Sequence, residues 1–154
     1  MLALGSDHAG YPLKHKVMAY LDAHAIAYHD YGTYTEASCD YPDYAKAACE
    51  AVVRGEADKA LLFCGTGVGI SMAANKVRGI RAACCSDYFS AKYTRLHNDA
   101  NALCLGARVV ADGLALELVE VFLNIPFEGG KHARRIDKLT QIENEQAALA
   151  PRAN

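Results

Sequence analysis

Three things are missing from this chain, and each absence removes a class of function. It has no excess of basic residues: Lys and Arg total 16 against 18 Asp and Glu, a formal net charge of −2. Nucleic acid is therefore not an expected partner. No apolar run approaches the ~20 residues that cross a bilayer, so no membrane partner is expected either. Six cysteines are present, but none form a CxxC pair and several lie inside strand-like apolar runs. That spacing predicts free thiols and no metal site. Met1–Gly5 reads as a strand rather than the start of a signal peptide, and the expected location is cytoplasmic. Internal repeats and low-complexity segments are also lacking.

What remains is the composition of a folded soluble protein, 52% hydrophobic and 22% charged over 154 residues, enough for one domain with a real core. Short apolar runs alternate with helical patterns. Strands are expected at Leu2–Gly5, Ala27–Asp30, Lys59–Cys64, Ala82–Cys85 and Ala102–Gly106. Helices are expected at Pro12–His24, Asp43–Arg54, Gly69–Val77, from the N-cap Ser86 to His97, and at Asp112–Leu123. Near-continuous apolar strands separated by helices predict an α/β fold, a three-layer α/β/α sandwich on a Rossmann-like five-stranded parallel sheet. After Pro126 the rhythm changes. Gly129–Gly130 form a hinge, and a helix over 131–146 carries Ile136, Leu139 and Ile142 in a narrow stripe suited to packing on a partner subunit. The domain is thus expected to span 1–146, with a flexible tail at 147–154.

The most informative segment is Leu61-Leu62-Phe63-Cys64-Gly65-Thr66-Gly67-Val68-Gly69-Ile70-Ser71. A strand ends on a cysteine, and glycines follow at every second position. In open α/β sheets ligands bind beyond the carboxyl ends of the strands. There the loop amides and the next helix N-terminus favour an anionic sulfur and an anionic ligand. Cys84, Cys85 and Cys104, by contrast, read as packing residues. Two familiar loops are excluded by Ile70: a C-x5-R phosphatase needs arginine there, and a GxGxxG dinucleotide fingerprint needs glycine. A thiol base beside an oxyanion cradle remains, and it suits proton abstraction next to a carbonyl. Thr66 would add a hydroxyl donor to the amides of Gly65, Gly67 and Gly69.

Other candidates have two readings each. Asp7 and His8 follow the first strand, either as functional groups at a sheet edge or as an Asx turn. His97 and Asn98 end a helix, where histidine either complements the dipole or exchanges protons with a sugar oxygen. Lys131, His132, Arg134 and Arg135 form either a solvated face or a phosphate clamp, which Arg108 could join.

Taken together, Gly5-Ser6-Asp7-His8-Ala9-Gly10, Asp40-Tyr41-Pro42, Cys64 to Ser71, Ala73-Ala74-Asn75-Lys76, His97-Asn98-Asp99 and Gly129-Gly130-Lys131-His132 closely resemble the type B ribose-5-phosphate isomerases. That family includes allose- and galactose-6-phosphate isomerases. The resemblance implies interconversion of ribose 5-phosphate and ribulose 5-phosphate with no cofactor. It implies Cys64 as the base between C1 and C2, and Thr66 with the loop amides, Val68 included, around the enediolate. His97 would open the sugar ring, Asp7 and Asn98 would hold sugar oxygens, and Tyr41 would line the pocket. His8, Arg108, Lys131 and Arg135 would surround the phosphate. It further implies a homodimer or dimer of dimers with sites shared between chains. Members lacking the cysteine use a glutamate in the glycine loop; with Cys64 present and Val at 68, the cysteine version applies. Lys131 stands where arginine is frequent, keeping charge but losing the bidentate fork. A six-carbon sugar phosphate, or a non-catalytic sugar-phosphate-binding subunit, is the alternative.

Overall fold

The computed structural model describes residues 1–149. The five apolar runs become β1 (Leu2–Ser6), β2 (Tyr28–Asp30), β3 (Lys59–Cys64), β4 (Ala82–Cys84) and β5 (Ala102–Gly106). All pair in parallel, in the order β2-β1-β3-β5-β4. The three inner strands are buried along almost their whole length, as strands covered on both faces must be. Their register aligns Ser6 with Phe63 and Cys64 with Gly106, so β1, β3 and β5 end together. Strand order reverses between β1 and β3, which makes the gap beyond Ser6 and Cys64 the crevice of an open α/β sheet.

Six helices complete the chain: α1 (Tyr11–Ala23), α2 (Tyr41–Val53), α3 (Val68–Ala74), α4 (Tyr88–Asn98), α5 (Asp112–Asn124) and α6 (Lys131–Ala147). One face of the sheet is covered by large side chains, with Leu13, Val17 and Leu21 of α1 and Leu118 and Phe122 of α5 against Leu4, Leu61 and Leu103. Each such residue contributes about 1.5–3 kcal/mol by leaving water. The other face is lined by small residues, Ala45, Ala48 and Cys49 of α2 against Ala3, Ala60 and Leu62, with Ile70 and Ala74 of α3. Small side chains let α2 approach closely and bring Tyr41, at its first turn, over the strand ends.

A buried ion pair fixes the loop between β2 and α2. Lys14 Nζ, fully buried, donates to Asp30 Oδ1 at 2.6 Å and Oδ2 at 2.8 Å and to the Thr33 carbonyl at 2.6 Å. Burial lowers the Lys14 pKa, and the bonded Asp30 carboxylate opposes that shift. The loop it holds carries Cys39 against His8.

Several expected boundaries move. The cap of α4 is Asp87, not Ser86: Asp87 has extended dihedrals and Oδ1 accepts the Ser90 amide at 2.8 Å, the three-residue reach a cap requires. β4 stops at Cys84, and α3 at Ala74, after which turns follow. Cys84 is also not a packing residue; it stands exposed, while Cys85 and Cys104 are buried. All six cysteines are unpaired. Of the expected tail, Ala147 closes α6, and residues 150–154 lie outside the described residues. Among the described residues, no helix is long and apolar enough to cross a membrane.

Candidate active site

Cys64 is the last residue of β3 and is 4% exposed. Its Sγ accepts the amide of Gly67 at 3.1 Å. The sequence suggests that this amide faces a substrate oxygen; the geometry directs it at the Cys64 sulfur instead. The turn that does this has φ +78° at Gly67, a region open to glycine at little cost. It also rests on the end of β5, where a Cβ on Gly106 would come within 2.4 Å of the Thr66 carbonyl carbon. α3 has only seven residues, so the loop amides, rather than a long helix dipole, set the local field.

Around this sulfur stand most of the expected partners. Thr66 is exposed, and its Oγ1 accepts the Val68 amide at 3.3 Å, which leaves the hydroxyl hydrogen free to donate. The Tyr41 ring lies over Gly69, where an added Cβ would sit 3.1 Å from the phenol oxygen. The Arg108 guanidinium lies beside Gly65, with Nη1 3.3 Å from where a Cβ would be. Val68 is exposed at the rim. From β1, Asp7 donates its amide to the Phe63 carbonyl at 3.2 Å, and its Oδ1 accepts the Gly10 amide at 2.9 Å. The turn reading of Asp7 is therefore realised, at a position that also opens on the crevice. His8 Nδ1 meets the Cys39 amide at 3.2 Å.

A second group lies at the opposite edge of the sheet. His97 and Asn98 end α4, and the chain returns from there to the start of β5, with the Asn98 carbonyl held by Arg81 at the foot of β4. A strand of five residues separates the two edges by roughly 15 Å. The His97 ring stacks on His132 of α6, centroids 4.0 Å apart and planes 7° apart. Both Nε2 atoms face Glu128 Oε2, at 3.5 Å from His97 and 3.7 Å from His132. Burial lowers the His132 pKa, with the neighbouring His97 acting in the same direction. Lys131, Arg134 and Arg135 are exposed on the first turns of the same helix. Glu128 escapes sequence reasoning; the available signal is its position four residues before His132 across Gly129–Gly130.

Within one chain, then, Asp7, His8, Tyr41, Cys64, Gly65, Thr66, Gly67, Val68, Gly69 and Arg108 come together, and His97, Asn98, Lys131 and Arg135 do not join them. A groove of ≈ 370 Å³ along the open edge of β4 runs between the two groups, lined by Cys84, Phe89, Tyr93, His97 and Asn98. Cys84 Sγ lies 3.8 Å from the Thr66 carbonyl oxygen at one end of it.

Comparison with known proteins gives a consistent answer. The model of the Ribose/Galactose Isomerase family matches residues 2–139. Ribose-5-phosphate isomerase B of Escherichia coli is 46% identical over 145 residues, covering 94% of this chain and 97% of that protein. A ribose-5-phosphate isomerase B from Clostridium thermocellum superposes with a TM-score of 0.93 at 47% identity, covering 94% of this chain and 98% of that one. The Mycoplasma genitalium enzyme, solved with bound ribulose-5-phosphate, gives a TM-score of 0.88 at 41% identity, covering 94% and 96%.

Proposed function

The chain belongs to the ribose/galactose isomerase family, and we propose that it interconverts D-ribose 5-phosphate and D-ribulose 5-phosphate with Cys64 as the proton-transfer base. In the open-chain aldose the Cys64 thiolate takes the hydrogen on C2 as a proton. The electrons of that bond form the C1–C2 double bond, and the carbonyl π pair moves to O1. The Cys64 thiol then returns the proton to C1 while the hydroxyl on C2 gives up its own and becomes the carbonyl. One proton shifts along carbon and one along oxygen, so nothing is oxidised overall. The Thr66 hydroxyl and the amides of Gly65 and Gly69 are the donors for the developing oxyanion. The observation that carries this reading is the Gly67 amide directed at Cys64 Sγ at 3.1 Å, which holds the sulfur at the strand end among the donors of the glycine loop.

Ring opening and phosphate binding need the second group of residues, and we assign them to a second copy of the chain. Phe89 on the groove, and Val68 and Met72 on α3, leave apolar surface exposed, and the groove has chemistry of a different kind at each end. A two-fold partner laid antiparallel along it brings His97 and Asn98 of one copy to Cys64 of the other. Lys131 and Arg135 then complete a phosphate site with His8 and Arg108, and Asp7 and Tyr41 hold the sugar. Residues 1–146 act as one isomerase domain in this arrangement. Leu139 and Ile142 of α6, about half exposed here at 51% and 54%, supply apolar contact to the partner.

A coupled assay with ribose 5-phosphate and allose 6-phosphate as alternative substrates tests the activity. Turnover is expected with the pentose phosphate at a kcat/KM well above that with the hexose phosphate. Preference for allose 6-phosphate would move the protein to the six-carbon branch, and no turnover of either would leave a binding subunit.

A further inference from the structure

His97, Glu128 and His132 offer more than a ring stack. One ring nitrogen from each histidine and a carboxylate oxygen of Glu128 all lie within 4.8 Å of one another, at the junction of α4, α6 and the loop between α5 and α6. Backbone bonds hold the junction together: the Glu128 amide donates to the Leu96 carbonyl at 3.0 Å, and the His132 amide to the Gly129 carbonyl at 3.1 Å. Two imidazoles and one carboxylate are a donor set for a borderline divalent transition ion, with three protein ligands and one open position. Hard ions such as magnesium prefer an all-oxygen shell and are poorly matched.

We propose that these three side chains form a zinc-class ion site, and that a bound ion takes His97 out of proton transfer. Zinc holds such atoms at about 2.0–2.2 Å, which places ligand atoms roughly 3.3 Å from each other in a tetrahedron. The two nitrogen–oxygen separations, 3.5 and 3.7 Å, already approach that spacing. The near-parallel rings must turn out of their stack so that both Nε2 lone pairs converge. His97, 37% exposed on the last turn of α4, has the room to turn; His132, 7% exposed, anchors the site. Each imidazole coordinates through Nε2 and keeps its proton on Nδ1, so no redox step is involved. Inhibition by the ion rests on the ring-opening role proposed above for His97; binding of the ion does not.

The test uses the full-length protein stripped with chelator, titrated calorimetrically with zinc and followed optically with cobalt(II). One ion per chain is expected, with a four- or five-coordinate cobalt spectrum free of sulfur-to-cobalt charge transfer, which separates this site from the free thiols. Glu128→Gln, a change at an exposed side chain, and His132→Asn are each expected to weaken binding by roughly tenfold or more. Unchanged affinity in Glu128→Gln, or a thiolate-type cobalt spectrum, overturns the site. Zinc is also expected to inhibit ribose 5-phosphate turnover in wild type at concentrations that Glu128→Gln tolerates. Binding that needs Glu128 yet leaves turnover unaffected would keep the site and overturn the role of His97 instead.

Discussion

The Gly67 amide donates to Cys64 Sγ across 3.1 Å from a residue whose φ of +78° leaves no room for a side chain. An alanine Cβ at this position would meet Cys84 Sγ at 2.9 Å and the Gly106 amide nitrogen at 3.0 Å, and the dihedral alone costs about 1–2 kcal/mol. The Gly106 nitrogen and the Leu105 carbonyl carbon, also at 3.0 Å, are backbone, so the loop must move. Gly67→Ala is expected to lower kcat by roughly 100-fold, the scale of a misplacement near 1 Å, while circular dichroism stays native. Steady-state kinetics checks this; wild-type kcat in the variant would show that the amide contact is dispensable.

Sites shared between two chains make a prediction that sites within one chain cannot. Cys64→Ala and His97→Asn are each expected to be nearly inactive. Unfolded together and refolded as a mixture, they form mixed dimers in which one of two sites has both wild-type residues. Recovered activity should reach roughly a quarter of wild type if exchange is random. Activity that stays at the sum of the separate variants would place both residues on one chain's site.

Ring opening and proton transfer along carbon are separable steps. With His97→Asn, net conversion of ribose 5-phosphate should fall by roughly 10²–10⁴-fold, the usual contribution of a positioned acid–base group. Exchange of the C1 hydrogen of ribulose 5-phosphate with deuterated water does not need the ring and should persist. Nuclear magnetic resonance reads both in one tube. Equal loss of exchange and conversion contradicts a role confined to the ring.

The six thiols should differ sharply in reactivity. Burial pushes the pKa of Cys49 and Cys85 up to about 12 and that of Cys104 well above the ordinary thiol value. A thiol with raised pKa gains thiolate only as pH climbs towards that value, so at neutral pH their thiolate fractions are below roughly 10⁻⁴. Burial raises the Cys84 pKa as well, but Cys84 is exposed and Cys39 partly so; iodoacetamide on the native protein should modify these two, and Cys64 at the crevice, long before those three, with ribulose 5-phosphate protecting Cys64. Peptide mass spectrometry after a timed reaction decides it, and early labelling of Cys49 or Cys104 would contradict the buried assignment.

How far the sequence reaches depends on the range of the forces involved. The alternation of strands and helices, and Cys64 with its glycine loop, are local patterns, and they survive nearly to the residue. Strand order is not local: nothing in the run Ala102–Gly106 says that β5 inserts between β3 and β4, although that insertion places Gly106 beneath Thr66. Ser86 and Asp87 are both competent caps, and only the path of α4 chooses Asp87. Cys84 looks like its buried neighbour Cys85, but β4 lies at the sheet edge and one residue of alternation separates exposed from buried. Between Cys64 and His97 lie α3, β4 and nearly all of α4, and α4 carries the chain from one edge of the sheet back to the other. Their distance within one chain is a property of the topology rather than of any motif. Glu128, joined to two histidines only after α6 folds back on α4, is hidden for the same reason.

The proposed proton transfer runs through the sulfur of Cys64, and turnover by Cys64→Ala tests it most directly. With unchanged circular dichroism and thermal melting, the variant is expected to lose both ribose 5-phosphate isomerisation and C1-hydrogen exchange of ribulose 5-phosphate, each by at least roughly 10³-fold. A folded Cys64→Ala protein that still isomerises or exchanges within tenfold of wild type would contradict it.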